Sequence, residues 1–149
     1  MDRHVKTHKD GSHHFSIEQD LSKITPINTM MDIGCNLGDT IVNAIGEFHP
    51  KKVYGFEASR GNFLASKVKL SIFPEVELFH TAVSDFDGTA KFFITEDHGC
   101  NSMLKPRDFI NPVLKTIEEY EVPVTRVDTW AKKCRRNRGR LCKDRCAGC

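Results

Sequence analysis

No stretch of this 149-residue chain is apolar for anything near the roughly 20 residues that a membrane-spanning helix needs. Residues 1–15, MDRHVKTHKDGSHHF, also lack the apolar core of a secretory leader. A soluble, cytoplasmic protein is the expectation. Two further absences narrow the chemistry. The one glycine-rich turn, MDIGCNLGDT, lacks the middle glycine of the dinucleotide fingerprint G-x-G-x-x-G. The cysteines of the C-terminal end form a single C-x-x-C pair, Cys146 and Cys149, where a zinc ribbon needs two. No metal site is expected.

With 39% hydrophobic and 28% charged residues, the composition is that of one globular domain with a real core. The charge is unevenly spread. Residues 132–149 hold eight Lys and Arg against one acid, a net of +7, which leaves −5 for residues 1–131 of the total +2. That basic run has no aromatic residue for stacking on bases, so nucleic acid is not an expected partner. Three segments are therefore expected: a polar N-terminal extension at 1–28, a domain at 29–131, and a basic, Cys-containing, disordered tail at 132–149. The extension carries His4, His8, His13 and His14, at spacings that match no standard ligand set.

The pattern sharpens at Thr29. Met30, Met31 and Ile33 predict a short strand, and Ile41, Ala44, Ile45 and Phe48 recur at helical spacing until His49-Pro50 stops them. Val53–Glu57 predicts a second strand, 60–73 a second helix and Val76–Val83 a third strand. The turn signal Asp85-Phe86-Asp87-Gly88 precedes a returning strand at Ala90–Ile94. Residues 96–107 look like a loop, Asp108–Tyr120 like a loose helix, and Val122–Trp130 like an edge strand. Strand, helix, strand, helix, strand is the first half of a doubly wound parallel α/β sheet, which brings the turn after the first strand and the end of the second to one edge.

The residues at that edge suit a particular ligand. Gly34 lets the backbone turn sharply, and Gly38 opens the following helix to a ligand. Asn36 would crowd a pyrophosphate, and Asp32 would repel one. A cationic, phosphate-free cofactor such as S-adenosyl-L-methionine fits better. Glu57 lies 23 residues after Gly34, close to the spacing of an acid that accepts the two hydroxyls of a ribose. Cys35 and Cys100 have no His partner in sequence context and read as ordinary thiols.

MDIGCNLGDT, VYGFEAS, TAVSDFDGTAKFFI, CNSML and VPVTRVDTW, in that order, resemble the FkbM-type class I methyltransferases over residues 29–131. The resemblance implies a Rossmann-like fold, S-adenosyl-L-methionine as cofactor, and methyl transfer to an oxygen of a small-molecule or glycan hydroxyl. It implies that Asp32, Gly34, Asn36 and Gly38 surround the methionine part and Glu57 the ribose. Ala82, with Thr81 and Val83, would lie near the adenine. Asn101 and Ser102 match a family signature and receive no catalytic role. In that family a strand of the type K-x-D-x-E-G-x-E follows. Here KKCRRNRGRLCKDRCAGC follows instead, so the sheet is expected to be truncated, with its first strand at an edge open to a partner chain. A shortened, non-catalytic relative, with its tail in zinc or nucleic-acid binding or without function, is the alternative expectation.

Overall fold

The computed structural model describes residues 5–7, 13–15, 26–105 and 115–137. Strands β1 (Val5–Thr7) and β2 (His13–Phe15) pair as a small antiparallel ribbon within the N-terminal extension. The main sheet is built by β3 (Thr29–Ile33), helix α1 (Asp39–Phe48), β4 (Lys52–Glu57), helix α2 (Arg60–Lys69) and β5 (Val76–His80). All three strands are parallel in the order β3-β4-β5, as the alternating pattern predicts.

Helix α1 is entered through Gly38 and left through His49, both left-handed, and Pro50 follows. Its apolar stripe lies on one face of the sheet, where Ile41 and Cys35 pack with Val53 and Leu70. Gly55 makes that packing possible. A Cβ there would sit 2.5 Å from Leu78 Cδ2 and 2.9 Å from Ile41 Cδ1, so any larger residue would force these packed side chains to move. Helix α2 is capped by Ser59, whose hydroxyl accepts the Asn62 N–H, and it tightens into a 3-10 turn at Leu70–Ile72. The helical stretch predicted over 60–73 is thus two pieces.

A second, three-stranded sheet has β8 (Thr116–Thr125) at its centre. It pairs in parallel with β6 (Ala82–Val83) and antiparallel with β7 (Gly88–Thr95). The apolar residues predicted to form one strand over 76–83 therefore serve two sheets. The chain bends at Thr81, whose N–H turns back to the Phe79 carbonyl and whose hydroxyl donates to the Pro123 carbonyl at 2.9 Å. Ala58, Ala82, Phe92, Val122 and Val124 form the core at the join. The Tyr120 hydroxyl accepts the Arg60 N–H at 2.8 Å and fastens β8 to the start of α2.

The segment after β8 departs from expectation. Residues 122–130 read as one edge strand, but β8 ends at Thr125 and helix α3 (Val127–Asn137) begins two residues later. Of the loose helix predicted at 108–120, Thr116–Tyr120 is strand, and 106–114 lie outside the described residues. The α3 helix runs past residue 131, where the composition turns basic. Its N-terminus is held by Asp87 from the β6–β7 turn, which accepts the Arg126 N–H at 3.0 Å and the Thr129 hydroxyl at 2.8 Å. Trp130 then enters an aromatic layer on the second face of the main sheet, with ring centroids 4.7 Å from Tyr54, 5.1 Å from Phe56 and 5.4 Å from Phe79. Local alternation could not reveal this, because a helix turn and a strand end compete over few residues and long-range packing decides. Among the described residues, β3 pairs only with β4, and Ile33 at its end is 54% exposed.

Two tests follow from the docking of α3. Trp130→Ala should lower stability by about 3 kcal/mol in urea unfolding, because it empties a layer shared by three rings. The backbone and hydroxyl donors around Asp87 hold its carboxyl below the ordinary value of 3.8. Its contribution is present at neutral pH and is lost as pH falls through that lowered range, since the unfolded state takes the proton first. The stability difference between wild type and Asp87→Asn should therefore be full at pH 7 and shrink below pH 3.8, followed by the emission of the single tryptophan.

Candidate functional site

A cavity of about 320 Å³ opens at the carboxyl ends of β3 and β4, between the main sheet and the second one. That is the edge where doubly wound sheets hold ligands. Its polar wall begins at the turn after β3. Gly34 and Cys35 both donate their N–H to the Phe56 carbonyl, at 2.8 and 3.0 Å, which pins the turn to the next strand. Gly34, Asn36 and Gly38 all have positive φ, so the backbone coils tightly. The two glycines differ in what demands them. A Cβ on Gly34 would meet nothing within 4 Å, whereas one on Gly38 would lie 2.8 Å from Leu70 Cδ1. Gly34 borders the cavity, and Gly38 lies against the Leu70 side chain, which would have to shift for a larger residue.

Glu57 ends β4 and is 6% exposed. One carboxylate oxygen accepts the Asn36 N–H and the other the Ser59 N–H, each at 2.7 Å. Each oxygen keeps a further lone pair for a donor in the cavity. Behind the turn, burial and then the Glu57 carboxylate hold the Asp32 carboxyl above its ordinary range. Asp32 Oδ2 and Asn36 Oδ1 are buried without a hydrogen-bond partner. Two orphaned acceptors beside a buried acid make this corner a receptor for donors.

Of the residues singled out in the sequence, Gly34, Asn36, Glu57 and Ala82 line the cavity, together with Thr81 and Val83. Asp32 and Gly38 do not. Asn101 and Ser102 close the far wall, and both serve the fold there: Asn101 Oδ1 accepts the Thr95 N–H at 2.9 Å and Ser102 Oγ the Leu104 N–H at 3.0 Å. Asn62 and Phe92 also line the cavity and were missed. Asn62 carries no sequence signal beyond its place in the first turn after the acidic strand end. Phe92 belongs to a strand whose sheet placement only the fold reveals.

Cys35 lies under the turn, and burial, followed by the Asp32 and Glu57 carboxylates, pushes its thiol up to about 12. Such a thiol stays protonated at neutral pH and is no nucleophile. Partial desolvation and then the Asp97 carboxylate raise the exposed Cys100. Among the described residues no group of three or more His, Cys, Asp or Glu could hold a metal ion, and no helix is long and apolar enough to cross a membrane. His4, His8, Cys142, Cys146 and Cys149 lie outside the described residues.

No family model and no curated protein matches the sequence. Solved structures do. One is the methyltransferase FkbM of Methylobacillus flagellatus KT, with 12% identity and a TM-score of 0.48 over 76% of this chain and 25% of that one. Another is a putative S-adenosylmethionine-dependent methyltransferase of Listeria monocytogenes, with 18% identity and a TM-score of 0.36 over 79% of this chain and 81% of that one. The chain therefore spans a quarter of the length of the first and most of the second. It is similar to both in a mixed α/β fold with a parallel sheet.

Alkylation of the native protein at pH 8, mapped by mass spectrometry, should modify Cys100 and spare Cys35 until denaturant is added. Equal labelling of the two in the folded protein would contradict the packing of the turn.

Proposed function

We propose that this chain binds S-adenosyl-L-methionine and acts in methyl transfer to an oxygen of a small-molecule or glycan hydroxyl. The observation that carries this reading is the polar inventory of the corner. Among the described residues Glu57 is the only titratable side chain lining the cavity and no Lys or Arg lines it, while the end of β3 and the turn after it bury two acceptor oxygens without donors. A phosphate would meet acceptors and a carboxylate there. A ligand with an ammonium group and hydroxyls supplies what those oxygens lack.

The residues fit the cofactor in kind. Asn36 Oδ1 and, behind it, Asp32 offer acceptors and negative charge to the amino-acid end, and the spare lone pairs of Glu57 suit ribose hydroxyls. The apolar patch of Ala82, Val83 and Phe92 suits a heterocycle. Gly34 leaves open space at the wall and Gly38 seats the helix behind it. When bound, the cofactor would supply a methyl group activated by a positive sulfur. The chain's own residues would hold it in place and shield it from water, and orientation would lower most of the barrier. Because Glu57 is already held by two backbone amides, no lining residue is assigned as general base. The exposure of Ile33 at the rim favours a second reading, cofactor binding without turnover by this chain alone.

Calorimetric titration with S-adenosylhomocysteine tests the first step. Micromolar binding is expected for the wild type. Gly34→Arg should abolish it, since the side chain enters open space and brings a cation, while its left-handed backbone costs only about 1–2 kcal/mol of stability. A folded wild type that releases no heat, or a variant that binds equally well, would sink the proposal. A screen of hydroxyl acceptors on the binding-competent chain then separates turnover from binding alone.

A further inference from the structure

Resting on that reading of the cavity, we propose that Asn62 reads the purine edge of the cofactor and selects a 6-amino purine over a 6-oxo one. Asn62 stands in the first turn of α2, is 6% exposed, and lines the cavity beside Glu57 and Ala58. Its backbone N–H is taken by the Ser59 cap. Its side-chain amide makes no hydrogen bond among the described residues. The neighbouring polar groups are otherwise employed. The Asn101 oxygen holds the Thr95 N–H, the Ser102 oxygen holds the Leu104 N–H, and the Thr81 hydroxyl donates to the Pro123 carbonyl. Asn62 is thus a nearly buried amide that the fold does not use.

Local physics argues against keeping it for structure. Alanine is the better helix former, and the amide opens on the cavity rather than on a partner in the fold, so nothing local asks for it. Asn62 becomes favourable once a ligand fills the cavity. The chemistry of the wall then divides by type. Glu57 only accepts, which suits hydroxyls, whereas an amide presents a donor and an acceptor side by side. That pair is complementary to the 6-amino group and N7 of adenine, to which Asn binds with two hydrogen bonds. On that edge hypoxanthine presents two acceptors, its 6-oxygen and N7, so in either orientation of the amide the amide oxygen faces another acceptor. Ala58, Ala82 and Phe92, packed together beside Asn62, give the flat apolar contact that a purine needs.

The test compares S-adenosylhomocysteine with S-inosylhomocysteine on the full chain by calorimetry. The wild type should prefer the adenosyl ligand by about tenfold or more, and Asn62→Ala should bind it about tenfold more weakly with the preference gone. Because the backbone cap survives the substitution, the variant should unfold at the same urea concentration as wild type or higher. A variant that keeps both affinity and preference overturns the role of Asn62 and leaves the cofactor reading standing. Equal losses for the two ligands overturn base selection. A marked fall in stability would show that the amide serves the fold. Failure of the folded wild type to bind either ligand removes both proposals together.

Discussion

The structure of the site depends on one buried carboxylate. Among the described residues Glu57 has no cationic partner, and its charge is met by two backbone amides, Asn36 N–H from the turn after β3 and Ser59 N–H from the entry to α2. Charge-assisted bonds of 2.7 Å are strong, and leaving a buried carboxylate without them is costly. The carboxylate therefore ties two loops from different β-α units into one wall. It also sets the electrostatics behind that wall, raising Asp32 and contributing to the protonated state of Cys35. A corner with so much acceptor character accumulates negative potential and gains stability from a ligand that brings donors.

The second constraint is the seating of two sheets against each other. Tyr120 on β8 bonds the first residue of α2, and Thr81 bonds across to Pro123, so the second sheet cannot slide along the carboxyl edge of the first. This brings Phe92 and the Asn101–Ser102 excursion over the cavity. Helix α3 completes the arrangement from the opposite face. Its Trp130 covers Tyr54, Phe56 and Phe79, and Asp87, from the turn that leads into β7, holds its first turn. One face of the main sheet is thus covered by local crossovers and the other by an element that arrives some 50 residues later. The β3 edge has no such cover among the described residues.

Much of this was legible in the linear pattern. The glycine-rich turn, the acid at the end of β4 and the β-α-β-α-β order all lie in short-range periodicity and turn chemistry, which depend on residues a few positions apart. Gly38 was legible as a helix entry but not as a packing position against Leu70, because that contact joins segments 32 residues apart. The break at Thr81 was hidden for a similar reason. A run of apolar residues says that a strand is buried, not which sheet buries it. Trp130 read as the last residue of a strand because its three aromatic partners are remote in sequence. Asn62 was invisible, since an asparagine in a first helical turn ordinarily needs no explanation.

The linear pattern suffices for the α/β class, the parallel order of β3, β4 and β5 and the acceptor-rich character of the turn. Those follow from alternation, helical spacing and the chemistry of Gly34, Asn36 and Glu57. Long-range packing settles which residues share the cavity, that Asp32 stands behind it and Asn62 within it, and that the basic C-terminal stretch begins as a docked helix. Each of these depends on where segments far apart in the chain come to rest, and burial and backbone hydrogen bonding across the two sheets fix that placement.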